Sequence, residues 1–130
     1  MSTIFSKIVK GELPAYKVAE DDRFLAFLDI NPLAKGHTLV VPKKQQNIIF
    51  NLTKPDCLTV MDFSYKVAKA LEKAVPCKRI GMSVVVLEVP HVHVHLIPTS
   101  IMADMQFTKK EKLTNEEFVE LAESISENFE

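Results

Sequence analysis

Three histidines alternate with apolar residues in His91-Val92-His93-Val94-His95-Leu96-Ile97-Pro98, and this run limits the fold more tightly than any other part of the chain. In an extended strand successive side chains point to opposite faces. The alternation therefore turns the three imidazoles to one side and the valines to the other. One side belongs to chemistry and the other to core. Each imidazole carries two nitrogens that need partners and titrates near neutrality, so a row of them calls for a polar, anionic neighbour. The remaining histidine, His37, opens a separate strand candidate.

Residues 16–19 and 23–28 suit strands, with Glu20-Asp21-Asp22 as the turn between them and Asp29 closing the second. Residues 37–42 read as a third strand, ended by Pro42. The valine-rich stretch 80–87 reads as a central strand feeding the histidine strand, with a bend or bulge at Pro90.

Ser2 and Thr3 can cap a short helix with Ile4, Phe5, Ile8 and Val9 on one side and Gly11 as its stop. Thr53, with Asp56 three residues on, opens a long helix whose apolar stripe runs through Leu58, Met61, Tyr65, Ala68, Leu71 and Val75 until Pro76 ends it. Thr114 and Glu117 open a last helix with Phe118, Leu121, Ala122, Ile125 and Phe129 at helical spacing, packed either on its own core or in a dimer interface. Between them, residues 101–113 carry scattered Ile101, Met102, Met105 and Phe107 ahead of Lys109, Lys110 and Lys112. They read either as an arm packed on its own body or a partner, or as a linker. Short hairpin strands with helices grouped apart predict an α+β fold: an antiparallel sheet of about five strands, a long helix, a short N-terminal helix and an added C-terminal helix.

A chain of 130 residues makes one domain, and 47% hydrophobic with 25% charged residues is ordinary for a soluble globular protein. The net charge of -1 argues against a nucleic-acid-binding module, which would rest on many basic contacts to phosphate, but leaves room for a small anion at a local site. Cys57 and Cys77 are too few and too far apart for a disulfide framework or a Cys-x-x-Cys site. The first ten residues hold no unbroken hydrophobic run, and no segment reaches transmembrane length, so no membrane partner is expected and the cytoplasm is the expected compartment. A metal site is the rival reading of the histidine run, since His-x-His on a strand can place two nitrogens around one zinc. Against it, the run contains no cysteine or carboxylate, although Glu88 adjoins it. Neither a metal nor another cofactor is expected.

The pattern His-φ-His-φ-His-φ-φ, with φ apolar, resembles the signature of the histidine triad (HIT) superfamily. So do Ile4-Phe5-Ser6-Lys7-Ile8-Val9, Leu13-Pro14-Ala15, Asp21-Asp22-Arg23, Phe27-Leu28-Asp29-Ile30 and Gly36-His37-Thr38-Leu39-Val40-Val41-Pro42-Lys43-Lys44, which are similar to the N-terminal half of its nucleotide-binding Hint branch. The likeness covers residues 4–98. It implies a HIT domain over residues 1–100, followed by the arm and amphipathic helix of 101–130.

The resemblance further implies a homodimer binding a purine nucleotide on each subunit. In it His93 would attack the α-phosphorus of a nucleoside 5′-phosphoramidate or related nucleotide, giving a nucleotidyl-histidine that water hydrolyses. His95 would lie against the phosphate and help protonate the leaving group, while His91 and His37 orient the nucleophile and complete the hydrogen-bond chain. Asp29 would hold the ribose hydroxyls; Phe5, Ile8, Leu13, Phe27 and Ile30 would line the base pocket. A neutral imidazole is a competent nucleophile near neutral pH, and a covalent intermediate divides one hard displacement into two easier ones.

The chain departs from the family before the triad. The usual Gly-Gln followed by Ser or Thr is replaced, with Leu87 and Glu88 standing where phosphate-side donors are expected. Two alternatives accompany the phosphoramidase reading: a dinucleoside polyphosphate hydrolase, and a nucleotide-binding regulatory protein of weak turnover.

Overall fold

Asp21 makes the first turn of the sheet. Its Oδ1 accepts hydrogen bonds from the amides of Arg23 and Phe24, both at 2.8 Å, closing a hairpin between β1 (Lys17–Glu20) and β2 (Phe24–Leu28). The structure is a computed structural model and describes residues 3–86, 89–107 and 110–130. A second connection joins β2 to β3 (Thr38–Pro42), locked by the Asp29 amide donating to the His37 carbonyl at 2.9 Å. With β4 (Arg79–Ser83) and β5 (Val94–Thr99), these strands form one sheet in the order β1-β2-β3-β5-β4, antiparallel throughout.

Gly36 sets the close of the β2–β3 connection. Its φ of +97° favours glycine, and a Cβ there would meet Pro98 Cγ and Val75 Cγ2 at 3.1 Å. The missing side chain lets the loop settle on the body and delivers His37 to the start of β3.

The sheet sorts its residues by parity. Phe24, Ala26, Leu28, Val40, Val94 and Leu96 face the core shared with α2 (Lys54–Ala74) and α3 (Asn115–Glu127). On the other face Leu25, Phe27, Leu39 and Val41 pack with Phe5 and Ile8 of α1 (Ile4–Val9). That short helix is held at its start by a reciprocal pair: Thr3 Oγ1 accepts from the Ser6 amide at 3.0 Å and Ser6 Oγ from the Thr3 amide at 2.7 Å. Ser2, the other expected cap, lies outside the described residues.

Three expectations change. Among the described residues the valine-rich strand shortens to Arg79–Ser83 and forms the sheet edge, pairing only with β5. Here β5 takes the inner place because it is buried on both faces, whereas β4 is half exposed; Val86, with φ of 54°, has already left the ladder. Second, β5 begins at Val94, so His91 and His93 precede the regular strand. The His91 amide bonds the Val89 carbonyl at 2.8 Å across Pro90, a tight three-residue turn that makes the expected bend.

Third, of the expected α2 stripe Leu71 and Val75 are buried and Ala68 partly so, but over the first turns Val60, Phe63 and Val67 go inward and leave Leu58, Met61 and Tyr65 exposed. The two stripes are offset by about two residues, or about 200° around a helix, so both satisfy helical periodicity and only packing selects one. By contrast α3 buries Phe118, Leu121, Ala122 and Ile125 in the core, and Phe118 stacks on Tyr16 with centroids 4.8 Å apart.

Candidate active site

Pairing of β3 with β5 sets Leu39 opposite His95. His37 lies two residues before Leu39 and His93 two before His95, so all three imidazoles share the face turned away from α2 and α3. The rings form a continuous row: Phe5 to His93 at 4.9 Å, His93 to His95 at 4.8 Å, and His95 to His37 at 5.1 Å between centroids. His91 joins the row's other end, its ring 6.0 Å from Phe5.

Fixed backbone partners decide where each ring carries its proton. His93 Nδ1 lies 2.7 Å from the His91 carbonyl, which only accepts, so Nδ1 holds the hydrogen and Nε2 keeps its lone pair. His91 Nε2 faces the Pro42 carbonyl at 2.8 Å and donates to it; its Nδ1 then accepts from Thr3 Oγ1 at 3.2 Å. His37 Nδ1 accepts from the Leu33 amide at 3.0 Å, which places its hydrogen on Nε2, directed at His95 Nδ1 2.9 Å away. His95 in turn holds its hydrogen on Nε2. The array thus sets a nitrogen lone pair, His93 Nε2, beside an N–H donor, His95 Nε2, on adjacent rings.

All four histidines are buried. Burial pushes the pKa of His37 down to about 4, with the Asp29 charge opposing and Lys110 and His93 adding to it. Burial also pushes His95 down to about 3, reinforced by His37, His93 and Lys110. His91 is lowered by burial against the opposing Pro42 carbonyl. His37 is therefore neutral at pH 7, and its 3.7 Å approach to Asp29 Oδ2 is not an ion pair there. The Asp29 Oδ1 accepts from the Asn31 amide at 2.8 Å, so this side chain both makes a local turn and faces the histidines.

Asp29, His37 and His95 bring three ligand atoms within 4.8 Å of one another, a set to be tested for metal. A histidine bound through Nε2 needs its hydrogen on Nδ1, where it donates to an acceptor. At His37 that hydrogen would face the Leu33 N–H, donor against donor. The cluster suits a chain of hydrogen bonds and opposes a metal.

Phe5, Ile8 and Phe27 belong to the buried apolar cluster flanking the rings, while Leu13 and Ile30 stand exposed outside it. Lys43 pairs with Glu20 at 2.8 Å. Leu87 and Glu88 lie outside the described residues. A separate cleft of about 440 Å³, walled by Lys35, Cys77, Pro98, Glu117 and Leu121, contains none of the histidines.

Sequence reasoning missed Thr3, the Leu33 amide, the Pro42 carbonyl and Phe107, whose ring meets His95 at 4.8 Å and 85°. Backbone donors leave no mark in a sequence. Phe107 stood in its least patterned stretch, and Thr3 is 88 residues from the ring it contacts.

Residues 10–102 match the family model described as the HIT domain. An uncharacterized HIT-like protein of Borreliella burgdorferi is 39% identical over 134 residues, covering 96% of either chain. The adenosine 5′-monophosphoramidase of Schizosaccharomyces pombe is 42% identical over 100 residues, covering 75% of this chain and 74% of its own. Among solved structures, a HIT-like protein from Bartonella henselae matches with a TM-score of 0.87 and 32% identity over 98% of this chain and 96% of that one.

Proposed function

The chain belongs to the HIT domain family, and on that premise we propose that it binds nucleotides and hydrolyses nucleoside 5′-phosphoramidates through a nucleotidyl-histidine. The observation that carries the reading is the 2.7 Å contact of His93 Nδ1 with the His91 carbonyl, which keeps the ring hydrogen on Nδ1 and so makes the Nε2 lone pair the nucleophile of the proposal. The phosphoramidase named in the fission yeast relative supports the choice of substrate.

In the first step the His93 Nε2 lone pair forms a bond to the α-phosphorus as the P–N bond to the amine breaks. A bound phosphoryl anion raises the proton affinity of the neighbouring His37–His95 pair, so the pair takes up a proton with substrate. That proton leaves with the amine through His95 Nε2, a contribution of about 10² to 10⁴ in rate for a positioned acid. In the second step water attacks phosphorus, the N–P bond breaks, and the proton released by water returns to the pair. The products are a nucleoside 5′-monophosphate and an amine.

Asp29 accepts from ribose hydroxyls, a role suited to a carboxylate that would repel phosphoryl oxygens. Phe5, Ile8 and Phe27 back the base, with Leu13 and Ile30 at its rim. The working unit is a homodimer: among the described residues β4 presents an unpaired edge with Met82 exposed, and Leu58, Met61 and Tyr65 form an exposed apolar stripe on α2. Among the described residues no helix is long and apolar enough to cross a membrane, and the site is read as cytoplasmic.

The test is chromatography of AMP released from adenosine 5′-phosphoramidate and, separately, from a diadenosine polyphosphate. The phosphoramidate should be the better substrate, and His93→Ala should lower its turnover by about 10³-fold or more. An unchanged rate in His93→Ala overturns the nucleophile.

A further inference from the structure

The matched family segment ends at residue 102, yet the chain continues past the histidines for several more residues before α3 begins. This arm is tied down at both ends. Asp104 Oδ2 accepts from the amides of Ser100 and Ile101 at 2.8 and 3.0 Å, fixing a short 3-10 turn, Met102–Met105. Met105 then lies against Gly81 of β4, where a Cβ on the glycine would fall 2.5 Å from its sulfur. Further on, the Glu111 amide donates to the Pro32 carbonyl at 2.7 Å, fastening the arm to the loop that carries Asp29 and Leu33. Between these two anchors Phe107 sets its ring against His95, centroids 4.8 Å apart and planes at 85°.

Among the hydrogen bonds described, His95 is held at its Nδ1 by His37. A single hydrogen bond at one nitrogen leaves an imidazole able to swing, and His95 must aim Nε2–H at the reacting group to be of use. Resting on the phosphoramidase reading, we propose that Phe107 is a positioning residue: with His93 on one side of His95 and Phe107 on another, the arm fixes the plane of His95 and so directs its Nε2–H at the leaving group.

Water is also kept from that flank of the ring. The groups facing His95 from the packed elements are His37, His93, Lys110 and Asp29, whose carboxylate lies within 4.8 Å of both His37 and His95. Removing the phenyl ring admits solvent, which favours protonation of His95 in the free protein while loosening its aim.

The experiment compares adenosine 5′-phosphoramidate, whose amine needs a proton to leave, with the p-nitrophenyl ester of AMP, whose leaving group needs none. Phe107→Ala should lower kcat on the phosphoramidate about 10-fold with KM within about 2-fold, and leave the ester within about 2-fold. Phe107→Leu, which keeps apolar cover, should recover most of the loss. Nitrogen-15 histidine spectra should show the His95 pKa rising by about one unit in Phe107→Ala. Equal losses on the two substrates, a change confined to KM, or unaltered rates would each overturn the role. Should Phe107→Ala unfold, Phe107→Gln carries the same comparison. His93→Ala separates the two ideas: activity surviving in it defeats the nucleophile, whereas a dead His93→Ala beside a fully active Phe107→Ala defeats only the positioning role.

Discussion

Acid should loosen this protein before its carboxylates protonate, because His37 is buried as a neutral ring. Its pKa is about 4 in the folded chain against 6.5 for the free side chain. Below pH 6.5 the unfolded chain therefore binds a proton that the folded one refuses, and stability falls as pH drops toward 4. At about pH 5 the difference for this ring alone is about 2 kcal/mol, and near or below its folded pKa it approaches about 3 kcal/mol. His95, lowered in the same direction, adds to the loss.

Urea unfolding followed by circular dichroism at about pH 7.5 and about pH 5 reads the change directly. His37→Asn keeps an acceptor for the Leu33 amide but removes the titrating group, so its stability should change less between the two pH values by about 2 kcal/mol. Equal wild-type stability at both pH values would refute the reasoning. So would a His37→Asn variant as acid-sensitive as the wild type.

Zinc should not bind stoichiometrically at Asp29, His37 and His95 in titration calorimetry, and turnover should be unchanged in excess chelator; tight binding lost in Asp29→Asn would show that the Leu33 amide does not dictate the His37 tautomer. Met61→Glu combined with Tyr65→Glu should shift the sedimenting species from dimer to monomer while leaving the fold intact by circular dichroism, and a wild-type monomer would remove the apolar stripe as an interface.

Much of the fold was legible because it rests on local chemistry. Asp21 announces the first hairpin, Thr53 and Thr114 announce two helices, and Gly11 and Pro76 announce two ends. The α2 core face was not legible: Leu58-Met61-Tyr65 and Val60-Phe63-Val67 are equally periodic, and the choice depends on what the sheet presents. Nor was the edge position of β4, since an apolar run looks the same whether neighbours flank it on one side or two. At the site, alternation brought His93 and His95 to one face, but no spacing rule could bring His37 within 2.9 Å of His95 without knowledge of the β3–β5 register. The hydrogen-bond partners that fix each tautomer are largely backbone atoms, which every residue possesses and no sequence pattern reveals.

The parity of the histidine run divides its vulnerability. Val94 and Leu96 are packed among α2 and α3, while His93 and His95 look the other way. Neighbouring codons along this run therefore answer to separate pressures, one for persistence of the scaffold and one for what the scaffold does. A lineage abandoning its chemistry could keep a folded descendant only by refilling the buried volume of the rings and re-pairing the groups they bond, whereas drift at the intervening positions would strike the shared core directly.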